Sequence, residues 1–374
     1  MTMLKRRAFN QVLVGLAASG VAGRACAWER GGSPDPDAPL GDTLTDVPGI
    51  KVGHFTETRR PTGCTVILFN PQVTASVDYD SSTPGSYRGV RLQPASLTVK
   101  LDAMFLTGGG AYGLSAVAGV DRYFEELHQG AAGVYLPSVA GASIFDLEVG
   151  NPKVRPDGEA AYQACKAAST APVQQGNVGA GAGATVGKLL KGLAGMKGGL
   201  GSASVRVGDA VIGSLAVVNG MGDIIDRHAG KIIAGARRPD GRGFANIVET
   251  LKRSRSRRLS ELAHDVPDQS TNLVVIATNV AFGKLELAKV AAMGSTGAAR
   301  VINPYHTAGD GDSTFAFSTN QVKWPTEPGE ASEASAVSAV GTLAAETASE
   351  SIIRAVKMAR SIDGWPACRD YPGE

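Results

Sequence analysis

The junction at residue 271 constrains this chain most. A polar stretch, HDVPDQS at 264–270, runs directly into Thr271-Asn272 and then LVVIAT at 273–278. That short, β-branched apolar run reads as a buried strand, so the chain has to build layers around it. A hydroxyl residue at such a junction is ordinarily just the start of a strand. It can also be a nucleophile. If its own hydroxyl attacks the strained peptide before it, an N→O acyl shift and hydrolysis leave threonine as a new N-terminus. Such a threonine carries its own base, an α-amine with a reference pKa of about 7.7–8.0.

The rest of the chain alternates short apolar runs with helical patterns. Strands are expected at 51–55, 64–69, 103–106, 133–138, 205–207, 210–218, 273–278 and 314–318. Helices are expected at 112–128, 159–167, 285–293 and 336–361, the last rich in alanine. Segment 28–45, rich in Pro, Gly and Asp, reads as a leader to the fold, and 325–332 as a polar loop. No internal repeat is present. This alternation indicates an α/β or α+β layered fold. The 48 glycines among 374 residues lack a Gly-x-y period and forecast many turns and close backbone approaches.

The formal net charge is +2, but Lys5, Arg6, Arg7 and Arg24 fall in the first 27 residues, where there is no acid. Without them, 33 basic residues face 35 acidic ones, a net of −2. A nucleic-acid binder is not expected. The basic run KRSRSRR at 252–258 reads as a solvated face. Residues 1–27 read as a signal peptide of the twin-arginine type. They combine a Lys-Arg-Arg opening, about 12 apolar residues and Ala25-Cys26-Ala27. The apolar stretch is too short to span a bilayer. Export to a bacterial periplasm is the expectation, with no membrane association once the signal is removed. Cleavage after Ala27 leaves Cys64, Cys165 and Cys368, which fit one bridge or three thiols equally well.

Familiar catalytic signatures are missing. There is no Gly-x-Ser-x-Gly elbow, and none of the five histidines sits in a triad motif. AGATVGK at 182–188 resembles a phosphate loop, but Leu189 stands where the magnesium-holding hydroxyl belongs. His306-x-x-x-Asp310-x-Asp312 reads as a glycine turn with solvated carboxylates ahead of a metal site.

Beyond these patterns, the chain resembles aminopeptidases of the DmpA type, which include β-peptidyl aminopeptidases and the nylon-oligomer hydrolase NylC. The resemblance runs from about Asp46 to Ala359. It rests on GGGAYGLSA at 108–116, SIFDL at 143–147, GNVGAGAGATVGK at 176–188 and KGGLGSAS at 197–204. It continues through LAVVNGMGDIID at 215–226, TNLVVIATN at 271–279 and HTAGDGDSTFAFST at 306–319.

The resemblance implies a four-layer αββα sandwich and self-cleavage between Ser270 and Thr271. An α chain at 28–270 and a β chain at 271–374 would form one domain. Thr271 matches the nucleophile and Asn219 the oxyanion donor. Lys188 matches a lysine near the nucleophile. Asp310 and Asp312 match an acidic pair that orients Thr271 and attracts a substrate ammonium. Three departures stand out: threonine where most aminopeptidase relatives have serine, Ser270 before it, and Phe145 where some relatives have tyrosine. Tyr112 is expected to line the substrate pocket with Phe145. The implied activity is removal of an N-terminal residue from small peptides, amides or esters. No cofactor or metal is implied, and the partners are the substrate and further αβ units, often four in all. An endo-type oligoamide hydrolase is the alternative. An inactive periplasmic binding protein is the alternative of another class.

Overall fold

The computed structural model describes residues 41–371, apart from 80, 98–99, 129–133, 255–260, 264–269 and 324–331. The segment 1–27 expected to be a signal peptide, most of the stretch before Ser270 and most of the basic run at 252–258 lie outside the described residues. Nine strands form the main sheet. The first five are β1 (Ile50–Thr56), β2 (Gly63–Asp78), β3 (Ser86–Tyr87), β4 (Lys100–Thr107) and β5 (Val139–Ser143). The others are β6 (Gly199–Val207), β7 (Ala210–Val218), β8 (Leu273–Val280) and β9 (Ser313–Val322). The helices are α1 (Val117–Leu127), α2 (Gly158–Ala167), α3 (Ile247–Arg253), α4 (Lys284–Ala299) and α5 (Glu333–Met358). Short strands at Asp223–Asp226, Lys231–Ala234 and Ile302–Asn303 form a small separate sheet.

The strands run in the order β3-β5-β4-β2-β9-β8-β7-β6, with β1 also on β2. β8 is central. It pairs in parallel with β9, Leu273 opposite Ser313, and antiparallel with β7, Leu273 opposite Val217. The long strand β2 joins the two halves: residues 64–68 pair with β4, and residues 74–78 pair with β9.

Two apolar cores account for the layering. The first gathers Leu273, Val275 and Ala277 of β8 with Phe315 and Phe317 of β9 and Leu215 of β7. Against them lie Ile67 and Val73 of β2, Met104 of β4 and Ala140 of β5. Among the described residues no α-helix contributes to it, so it is a sheet-on-sheet core. The second takes the alternate residues Val274 and Ile276 of β8 and packs them on Leu287 and Val290 of α4 and Ile352 and Val356 of α5. Period-two alternation explains the sharing, and it explains why LVVIAT is apolar throughout. On the far side α2 covers β1. A Cβ at Gly53 would fall 2.0 Å from the Ala164 carbonyl oxygen, so only glycine lets α2 settle this closely. The result is the αββα sandwich.

Several expectations need correction. Residues 134–138 are not a strand, and the strand begins at Val139. The single helix expected at 112–128 is a 3-10 stretch, Gly110–Ala116, followed by α1. β2 is 16 residues long, well beyond the run at 64–69. β6 starts at Gly199, not at 205. The C-terminal helix is Glu333–Met358, so it stops short of Ser361. All three described cysteines are free thiols. Among the described residues no helix is long and apolar enough to cross a membrane.

Candidate active site

Thr271 and Asn272 precede β8 and are already buried, at 5% and 1% exposure. Backbone pairing places them. The Thr271 N–H donates to the Asn219 carbonyl at the end of β7, 2.8 Å away. Ser270 runs parallel to Asp310 in an isolated bridge. The Ser270 carbonyl oxygen accepts two bonds, from the Gly311 N–H at 2.9 Å and from the Thr271 hydroxyl at 2.6 Å. The hydroxyl of residue 271 therefore lies directly against the carbonyl of the peptide before it. Gly311 is glycine for a local reason: a Cβ there would sit 2.7 Å from Thr271 Oγ1 and 2.5 Å from the Thr83 carbonyl oxygen.

The acidic pair works inward. Asp312 Oδ1 accepts from the Asn272 N–H at 2.6 Å and from the Asn272 side-chain amide at 2.9 Å. Its Oδ2 accepts from the His306 N–H at 3.2 Å. Asp310 Oδ2 accepts from the N–H and hydroxyl of Thr307, at 3.0 and 2.7 Å. Burial raises both carboxyls, and Asp310 beside it helps push Asp312 up to about 8. Both side chains are engaged below the nucleophile. Neither is among the residues lining the cleft that reaches Thr271.

Asn219 is fully buried. Its Oδ1 accepts from the Thr185 N–H at 2.9 Å and has the Lys188 ammonium at 3.4 Å. A backbone N–H can only donate, so the oxygen assignment is firm and the NH₂ points the other way. One of its hydrogens goes to the Phe145 carbonyl at 3.0 Å. Lys188 also donates to Glu148 at 2.9 Å.

A cleft of about 460 Å³ opens onto Thr271, walled by Thr83, Gly110, Tyr112, Ser143, Phe145 and Leu147. Its described walls carry no charged side chain. The Arg155 guanidinium stacks 4.0 Å above the exposed Tyr112 ring at the rim. Behind the cleft, Asp146 is buried and accepts from the Gly109 N–H at 2.8 Å and the Thr62 hydroxyl at 2.6 Å. It also pairs with the buried Arg60. These bonds fix the turn of GGG against SIFDL and so set where Phe145 faces.

The structure thus brings together every residue that the sequence marks. Thr271, Asn219 and Ser270 meet directly. Lys188 joins through Asn219, Asp310 through Ser270, and Asp312 through Asn272. Tyr112 and Phe145 line the cleft. Three participants went unmarked: Thr185, Glu148 and the Gly311 amide. Thr185 and Gly311 lie inside the quoted motifs. Glu148 follows SIFDL immediately, which is the one signal that pointed to it.

The profile described as Peptidase family S58 matches residues 42–367, and the chain belongs to that family. An uncharacterized aminopeptidase of Mycobacterium leprae is 34% identical, over 90% of this chain and 96% of its own. A 6-aminohexanoate-oligomer endohydrolase of Paenarthrobacter ureafaciens is 31% identical, over 83% of this chain and 85% of its own. The L-aminopeptidase D-Ala-esterase/amidase of Ochrobactrum anthropi, described as a variant of the Ntn-hydrolase fold, superposes with a TM-score of 0.62. It is 19% identical, over 86% of this chain and 87% of that one, and so speaks for the fold. Membership makes this chain a hydrolase of the peptidase type.

Proposed function

We propose that this chain is a self-processing hydrolase that uses Thr271 as an N-terminal nucleophile. On small peptides, amides or esters it acts as an aminopeptidase. The observation that carries the reading is the 2.6 Å contact of the Thr271 hydroxyl with the Ser270 carbonyl, itself held by the Gly311 amide.

In self-cleavage, Thr271 Oγ adds to the Ser270 carbonyl carbon. The Gly311 N–H meets the oxygen as it becomes negative. The hydroxyl proton passes to the amide nitrogen, the C–N bond breaks and an ester remains. Water hydrolyses that ester, leaving a carboxylate on Ser270 and a free amine on Thr271. With the signal peptide at 1–27 removed on export, the products are an α chain of residues 28–270 and a β chain of 271–374.

In turnover, the Thr271 amine takes the hydroxyl proton and Oγ attacks the substrate carbonyl. The amine hands the proton to the departing nitrogen, and water then releases the acyl group. The Asn219 carbonyl, which accepts the Thr271 N–H at 2.8 Å, is placed to orient the freed amine. The Asn219 NH₂ supplies the oxyanion donor. Phe145 has no donor to add. On the same reading the enzyme is exported to the periplasm and assembles from αβ units, often four.

One observation favours a second reading, endo-type hydrolysis of linear oligoamides. Asp310 and Asp312 are turned inward, and the cleft's described walls offer a substrate ammonium no counter-charge. Rates on L-alanine p-nitroanilide and on its N-acetyl form separate the two. An aminopeptidase loses at least about a hundredfold on acetylation, equivalent to about 2.7 kcal/mol. Equal rates on both would overturn the aminopeptidase reading and leave the endo reading standing.

A further inference from the structure

We propose that Glu148 is a positioning residue for catalysis: it holds the Lys188 ammonium against the amide oxygen of Asn219 and thereby strengthens the oxyanion donor. The inference rests on the reading of Thr271 and Asn219 above.

Glu148 Oε1 accepts from the Lys188 ammonium at 2.9 Å and from the Thr185 hydroxyl at 2.9 Å. Both donors stand 3.4 Å from Asn219 Oδ1. The threonine hydroxyl has one proton, and the nearer carboxylate takes it. The lysine has three, so it serves Glu148 and Asn219 together. Thr185 adds its backbone N–H to Asn219 Oδ1 at 2.9 Å. The Asn219 oxygen thus carries one amide donor and one cation, both in a buried setting.

Donors on the oxygen of an amide draw electron density from its nitrogen and make its N–H groups stronger donors, an effect that water would blunt. Lys188 is 9% exposed and Asn219 fully buried, so the geometry is set by packing and by Glu148. A lysine stem has four rotatable bonds and keeps one position only if something anchors its head. Glu148, at 2.9 Å, is an anchor of that head. Self-cleavage should not depend on it, because the Ser270 carbonyl is met by the Gly311 amide and not by Asn219.

Glu148 also borders a second cleft of about 260 Å³, beside Lys188, Arg237 and Trp365. A carboxylate there could instead bind substrate directly, and the test has to separate the two roles. The variants are Glu148→Ala and Glu148→Gln. The readouts are conversion of precursor to two chains, kcat and KM on L-alanine p-nitroanilide and the linear 6-aminohexanoate trimer, and crystal structures of both variants.

The expected result is normal self-cleavage with kcat for Glu148→Ala down about tenfold and KM within twofold. Glu148→Gln, which keeps an acceptor for Lys188, should recover part of the loss. In the alanine variant the Lys188 head should leave Asn219. A raised KM with kcat intact would overturn the proposal in favour of substrate binding. Unchanged kinetics, or Lys188 in place without Glu148, would overturn it outright. A wild-type chain that neither cleaves nor turns over either amide would refute the reading of Thr271. The position of Lys188 in the alanine variant would still decide the anchoring claim.

Discussion

At the scale of single residues, Gly311 shows how closely the backbone is fitted around Thr271. Its N–H meets the carbonyl that self-cleavage would attack, and its missing side chain makes room for the attacking hydroxyl. Gly311→Ala keeps the N–H but puts a Cβ against Thr271 Oγ1 and the Thr83 carbonyl, so it is expected to slow self-cleavage by at least about a hundredfold, the scale of misplacing a reacting group by about 1 Å. The fold itself should survive, and SDS gels of the purified variant over days would read the outcome. Normal processing would show that the close fit at Gly311 does not hold the attacking hydroxyl. The residues of this site were legible to different degrees. Thr271 stands out in sequence because a hydroxyl residue sits at a sharp polar-to-apolar boundary. Asn219 and Lys188 are ordinary residues on their own, and only the motifs around them mark their roles. Glu148 is marked only by its place next to SIFDL, because its meaning depends on Lys188, 40 positions later. The inward turn of Asp310 and Asp312 was equally hidden. Spacing shows two carboxylates near a nucleophile but not that Thr307, Asn272 and His306 already occupy them.

Among the elements, the misread strands share one cause. β6 begins with GLG, a run that β-propensity scores poorly. Gly199 and Gly201 are nevertheless strand residues, because a Cβ at either would fall 2.4 or 2.1 Å from the α5 carbonyls of Ala355 and Ser351. Contact with a distant helix decides the residue type there, and no local pattern reports it. β5 was misplaced for a similar reason. Its sequence VAGAS is small-sided, and Gly141 lies against the Phe105 ring of β4. The long runs of β7, β8, α4 and α5 were legible because their apolar spacing alone defines them.

The small sheet supplies a test that depends on pH. Asp223 opens its first strand, is 2% exposed and accepts from the N–H groups of Ala236 and Ile247 at 2.8 Å each. Burial pushes its carboxyl from 3.8 up to about 6. Between those values the folded chain holds a proton that the unfolded chain has lost. Stability from this group therefore falls as pH rises from about 4 to 6, by at most about 3 kcal/mol. Thermal melts of wild type and Asp223→Asn across that window should show the wild type losing ground to the variant as pH rises. A pH-independent difference would contradict the assignment.

For the whole molecule, the proposed cut falls where division does least harm. β8, β9, α4 and α5 follow residue 270, and everything on the other side of the sheet-on-sheet core precedes it. Yet β8 pairs with β7 and β9 pairs with β2, so each fragment completes the sheet of the other. A cut at 270–271 would leave one fold held by two strand interfaces and two shared cores. Alternating strands and helices foretold an α/β layering. That the sheet doubles back along β2 to give four layers came only with the family resemblance, since no local signal in a sequence encodes how a sheet folds over itself.

The central claim is that Thr271 becomes an N-terminus, and intact-mass measurement of the purified protein beside Thr271→Ala tests it most directly. The account expects two wild-type chains, the smaller beginning Thr271-Asn272 and 104 residues long (374 − 270), and one uncut chain in the variant. A wild-type protein that stays whole, or a variant that is cut at the same bond, would contradict it.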